Sequence, residues 1–117
     1  MNQKKDVINY LKIQLNFSSR SIYLIKLFVN HLLVENKKYN LISKSTESII
    51  WLRHILDSAQ LVNLIDFKSK SLSDLGSGAG FPGLILAIFN ENKDFHVKLY
   101  EKSPVKRAFL SGFISKF

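Results

Sequence analysis

Asp74-Leu75-Gly76-Ser77-Gly78-Ala79-Gly80-Phe81-Pro82-Gly83 is the stretch that decides the fold. Gly76, Gly78 and Gly80 stand at every second position, after a strand-like approach from Ser69 to Leu75. An apolar run from Phe81 to Phe89 follows, with Pro82 where a first helical turn begins. Strand, glycine turn and helix in this order form a nucleotide-binding arrangement. Glycine is needed because the backbone must pass through conformations closed to residues with a Cβ, and because a ligand can then lie against bare peptide. Gly76 and Gly78 are therefore expected in a strand-to-helix turn with at least one positive φ.

The spacing separates two cofactor classes. Dinucleotide enzymes favour G-x-G-x-x-G, which places the third glycine at position 81. That position is Phe81, and the third glycine falls one residue early. An Asp two residues before G-x-G-x-G resembles motif I of S-adenosylmethionine-dependent methyltransferases. That ligand has an amino-acid end, a ribose and a sulfonium, and no pyrophosphate. A glycine loop can offer amides to its carboxylate, while acidic side chains take the amino group and the ribose hydroxyls. Asp74, at the strand end, is the first such acid. A second strand, Phe95 to Tyr100, ends at Glu101, where a carboxylate would receive the ribose. The bland alternative is a tight turn with solvated acids.

Outward from this stretch, the 117 residues leave room for one domain, and 46% hydrophobic residues exceed what a disordered chain carries. With no cysteine there is neither a disulfide framework nor a thiolate metal site. The N-terminus lacks a signal-peptide core, and no apolar run reaches the ~18 residues of a membrane span. The expectation is a cytoplasmic protein. The net charge of +8 attracts phosphate backbones. Fourteen of the 17 cations are Lys, beside abundant Asn and Ile, and an AT-rich genome also produces that bias.

Residues 3–15 read as an amphipathic helix with Val7, Ile8, Leu11 and Leu15 at three-to-four spacing. Asn16-Phe17-Ser18-Ser19 is a break in which either serine can cap the next helix. That helix, 20–35, carries Leu24, Leu27, Phe28, His31 and Leu32 on one side, and polar residues 35–38 end it. An extended connector, 39–42, leads to a third helix from about Ser45 to Leu64. Strand 71–75, helix 82–90, strand 95–101 and a last helix complete the chain. Ser103 caps this helix, Pro104 suits its first turn, and Val105, Phe109, Phe113 and Phe117 form its apolar stripe. Two parallel strands are fewer than a covered sheet needs, so the chain reads as cut off within a domain. Residues 1–66 are assigned to a helical extension and 67–117 to an incomplete cofactor-binding core.

Three segments together carry a more specific resemblance. Asn40-Leu41-Ile42-Ser43, Arg53-His54-Ile55-Leu56-Asp57-Ser58 and Asp74 to Gly83 resemble the bacterial small-subunit ribosomal RNA guanine-N7 methyltransferases, the glucose-inhibited division protein B family. Lys106-Arg107 followed by Phe109-Leu110 is similar to the helix after the second strand in that family. The resemblance covers nearly the whole chain and matches the N-terminal half to three-fifths of such a protein. It implies an α/β fold: a helical N-terminal extension, then the first β-α-β-α part of a Rossmann-like methyltransferase sheet. It implies S-adenosyl-L-methionine as cofactor and small-subunit ribosomal RNA as partner, with no metal. By motif match Gly76 and Phe81 contact the cofactor, and Asp74, Gly78 and Gly80 shape its pocket. Glu101 stands where Asp is common in the family, and Lys102-Ser103-Pro104 departs from the family's turn.

Guanine N7 has a free lone pair and no proton to lose, so no general base is required and alignment suffices. Arg53, His54 and Asp57 fall within one helical turn, with Arg53 and Asp57 spaced to pair. They either face the cofactor cleft and place RNA, or form a structural ion pair beside a buried histidine. His31 and His96 lack ligand spacing, and Trp51 and the tyrosines are read mainly as packing groups. The leading function is an RNA methyltransferase with few strands and thus little or no turnover. The alternatives are a non-catalytic product of such a gene and a nicotinamide-dependent Rossmann oxidoreductase.

Overall fold

The computed structural model describes residues 3–116, so Phe117, the last member of the expected stripe, lies outside the described residues. Helix α1 (Gln3–Ile13) buries Val7, Ile8 and Leu11. It ends where Asn16 turns left-handed (φ 60°) and the Phe17 N–H returns to Leu11 O at 3.0 Å. Asn tolerates that conformation and the bond satisfies a terminal carbonyl. Ser18 then caps α2 (Ser19–Asn36), its side chain accepting from Ser21 N–H at 3.0 Å. The buried face of α2 is Ile22, Ile25, Phe28, Val29 and Leu32. Of the residues expected together on one side, Phe28 and Leu32 are buried, while Leu24, Leu27 and His31 are half-buried at its shoulder. The stripe is rotated because α2 packs on two elements at once, α1 and the helix that follows the glycine turn.

The third helix is not continuous. A short α3 (Lys44–Glu47) is followed by a π-helical segment, Trp51–Leu56, one α-turn, α4 (Asp57–Ala59), and a 3₁₀ segment, Gln60–Leu64. Asn36 organises the approach to it. Its carboxamide oxygen accepts from Leu41 and Ile42 N–H, both at 2.9 Å, and its nitrogen donates to Glu47 Oε1 at 2.8 Å. The polar end of α2 is thus partly an internal brace, with Asn36 buried and every side-chain bond directional.

Strand β1 (Ser71–Leu75) pairs in parallel with β2 (His96–Tyr100), with Ser71 opposite His96 and Leu75 opposite Tyr100. Helix α5 (Gly83–Phe89) connects them, and α6 (Pro104–Lys116) follows β2. Leu72, Asp74, Val97 and Leu99 face the helices, while Ser71, Ser73, Leu75, His96, Lys98 and Tyr100 are exposed. This alternation is the period-two signature of a strand covered on one side. Ser103 caps α6 as expected, receiving Lys106 N–H on its hydroxyl at 3.3 Å and Arg107 N–H on its carbonyl at 2.9 Å. The result is a helical N-terminal part and a partial Rossmann-like α/β unit over one contiguous apolar cluster. Phe28 lies at the centre of that cluster, against the rings of Phe81, Phe109 and Phe113. Among the described residues no helix is long and apolar enough to cross a membrane.

Candidate functional site

The chain leaves β1 through three left-handed glycines, Gly76 (φ 76°), Gly78 (φ 56°) and Gly80 (φ 115°). A side chain there costs about 1–2 kcal/mol in backbone strain alone. A Cβ built on Gly76 or Gly78 meets nothing within 4 Å, so the space before the turn is open. Gly80 is different, since its Cβ would come within 3.0 Å of Leu84 Cβ and 3.1 Å of Leu110. The first two glycines thus keep a surface bare, and the third lets the loop close against α5 and α6.

The turn is bonded to the end of β2. Gly76 and Ser77 N–H both donate to Tyr100 O, at 2.8 and 2.9 Å. Gly78 N–H donates to Glu101 Oε1 at 2.7 Å, and Ser103 N–H donates to Glu101 Oε2 at 2.8 Å. Gly80 and Phe81 N–H both return to Ser77 O. The loop amides expected to face a ligand carboxylate are therefore largely engaged within the chain. Glu101 bridges the turn and the entry to α6, with lone pairs to spare on both oxygens.

The bonds from Ser103 and Gly78 hold the Glu101 carboxyl below the usual glutamate range, and Lys106 adds to the effect. A depressed folded pKa means the contribution is present above the unfolded value and is lost as pH falls through the folded one. The Gly78 and Ser103 amide resonances are expected to move with the Glu101 carboxyl on acidification, with a midpoint below that of free glutamate. In Glu101→Gln that step disappears. A midpoint at the free value, or a step surviving in the variant, would remove Glu101 as the brace.

Asp74 projects toward the helices, where Oδ2 accepts from Gly83 N–H at 3.0 Å. A Cβ at position 83 would sit 2.6 Å from Asp74 Oδ2 and 2.9 Å from its Cβ, and would overlap Leu99. Gly83 is a site residue that sequence reasoning passed over. Its signal was a helix-disfavoured glycine at the head of an apolar helix.

Phe81 links the turn to the helical extension. It meets Phe28 edge-on, 5.7 Å between centroids, and stacks on His54 at 4.9 Å. His54 Nε2 lies 3.1 Å from Thr46 Oγ1, and Thr46 gives its own hydroxyl proton to Ser43 O at 2.9 Å. That assignment leaves Thr46 as acceptor and places the ring proton on Nε2. The three segments singled out in sequence thus converge on His54. Burial lowers its pKa, with Arg53 adding to the lowering and Asp57 opposing it.

Arg53 and Asp57 do not pair with each other among the described residues, contrary to the expected spacing. Arg53 lies within the π-helical segment and Asp57 follows it directly. Both side chains instead line an open recess of about 250 Å³ with His54, Phe81 and Pro82. His31 stacks on Phe109 at 5.3 Å, and His96 is exposed on β2. Among the described residues no group of three or more His, Cys, Asp or Glu can hold a metal ion.

A family profile described as rRNA small subunit methyltransferase G matches residues 21–117. Proteins named ribosomal RNA small subunit methyltransferase G are similar over much of the chain. The one from Pelagibacter ubique is 46% identical over 88 residues, covering 72% of this chain and 41% of that protein. The one from Syntrophomonas wolfei is 39% identical over 94 residues, covering 80% and 43%. The one from Bartonella henselae is 42% identical over 109 residues, covering 91% and 49%. The chain thus spans a little under half the length of each of these relatives.

Proposed function

The chain belongs to the rRNA small subunit methyltransferase G family, and from that premise we propose that its glycine turn holds S-adenosyl-L-methionine for methylation of N7 of a guanine in small-subunit ribosomal RNA. The observation that carries this is the run of three left-handed glycines at the end of β1, beside an acidic side chain at the end of β2. The residues fit such a ligand. Gly76 and Gly78 leave bare backbone with open space before it, and Glu101 keeps acceptor capacity for two ribose hydroxyls. Asp74 and Gly80 shape the pocket from behind, one by bracing Gly83 and the other by close packing. Phe81 closes the loop against the core.

S-adenosylmethionine supplies an electrophilic methyl group on a sulfonium. This chain's residues bind and orient, and because guanine N7 carries no proton, none of them need act as a base. The net charge of +8 suits an RNA partner, with binding that weakens as salt rises. A cytoplasmic location follows from that partner.

Calorimetric titration with S-adenosylmethionine tests the site. Wild-type chain is expected to bind, and Gly78→Val to lose at least tenfold in affinity, since a branched side chain fills the open face and resists φ 56°. Equal affinities would move the cofactor away from this turn.

A further inference from the structure

The recess beside the glycine turn carries two opposite charges that the fold leaves unpaired with each other. Arg53 and Asp57 are exposed on its rim, and the stacked His54 and Phe81 rings give it an aromatic wall. Phe81 and Pro82 follow Gly80 directly, so the recess opens next to the turn. An ion pair that served only stability would have its partners in contact. Here both line one small opening without pairing with each other.

From this we propose that the recess receives the target guanine, with Asp57 accepting from N1–H and the N2 amine and Arg53 donating to O6. The proposal rests on the guanine methylation reading above and adds the base-holding residues to it. The chemistry selects guanine because its pairing edge presents two adjacent donors beside one acceptor. A carboxylate and a guanidinium match that order. Adenine offers a donor at N6 and an unprotonated N1, so the same charges oppose it. Gripping N1, N2 and O6 leaves N7, on the neighbouring Hoogsteen edge beside O6, without a bond of its own and free to face the turn. His54 takes no proton in this scheme. Its bond to Thr46 fixes the ring, and the ring supports Phe81.

The test is a set of nucleotide titrations of the 117-residue chain, followed by NMR. GMP is expected to shift His54 and Phe81 resonances with an affinity roughly tenfold or more above that of AMP, the scale of a hydrogen bond to a charged group. IMP, which lacks the N2 amine, should fall between them. Asp57→Asn and Arg53→Gln, both at exposed positions, should erase the preference while circular dichroism stays native. Equal binding of GMP and AMP, or a preference that survives Asp57→Asn, would overturn the assignment. S-adenosylmethionine calorimetry on the same sample separates the two readings. Cofactor binding without guanine preference removes this proposal alone. Guanine preference without cofactor binding removes the methyl-transfer reading and leaves a guanine site.

Discussion

Phe28→Ala is expected to lower the thermal midpoint by about 10 °C or more, or to prevent cooperative folding altogether. Phe28 is fully buried, with ring centroids 5.7, 5.9 and 5.2 Å from Phe81, Phe109 and Phe113. It sits on α2, while its partners lie in the glycine loop and on α6, so this ring is a central contact between the helical part and the α/β part. Deleting a buried phenylalanine costs about 3–5 kcal/mol through lost transfer energy and the cavity left behind. A domain has only about 5–15 kcal/mol in total. Phe28→Leu keeps most of the volume and should lose much less. Circular dichroism melts of the three proteins decide the matter. A midpoint for Phe28→Ala within about 3 °C of wild type would mean that the two parts are not coupled through this ring.

Gly83→Ala is expected to destabilise the chain by about 2–3 kcal/mol, although alanine is the better helix former. The propensity gain is about 1 kcal/mol. Against it stand about 1–3 kcal/mol of overpacking and the strained or lost charge-assisted bond from Gly83 N–H to Asp74, worth about 1.5–3 kcal/mol. The added methyl meets Asp74 on β1 and Leu99 on β2, neither of which can swing away without parting helix from sheet. Gly112→Ala in α6 is the control, because a Cβ there meets nothing within 4 Å. That substitution should stabilise by about 0.5–1 kcal/mol. Opposite signs in denaturant unfolding would establish that space rather than propensity sets the outcome at Gly83. Stabilisation by both would overturn the account of Asp74 as a helix-to-sheet brace.

What the sequence determined by itself is local. Three alternate glycines after a strand mark a place where the backbone can turn left-handed at little cost, because that freedom lies in the residues themselves. Period-two and three-to-four spacing likewise placed β1, β2, α1, α5 and α6 to within a residue or two. The Ser18 and Ser103 caps follow from side chains that reach their own helix ends. What only the tertiary structure decided is where long-range packing competes with local preference. The apolar face of α2 turned from Leu24 and Leu27 to Ile25 and Val29 because it must serve α1 and α5 together. The expected third helix broke into α, π and 3₁₀ segments, which the spacing of its residues did not announce. Arg53 and Asp57 of this stretch, unpaired with each other, both line the recess. The engagement of Glu101 with the Gly78 amide was equally invisible in sequence, because residues 78 and 101 become neighbours only when two parallel strands end side by side.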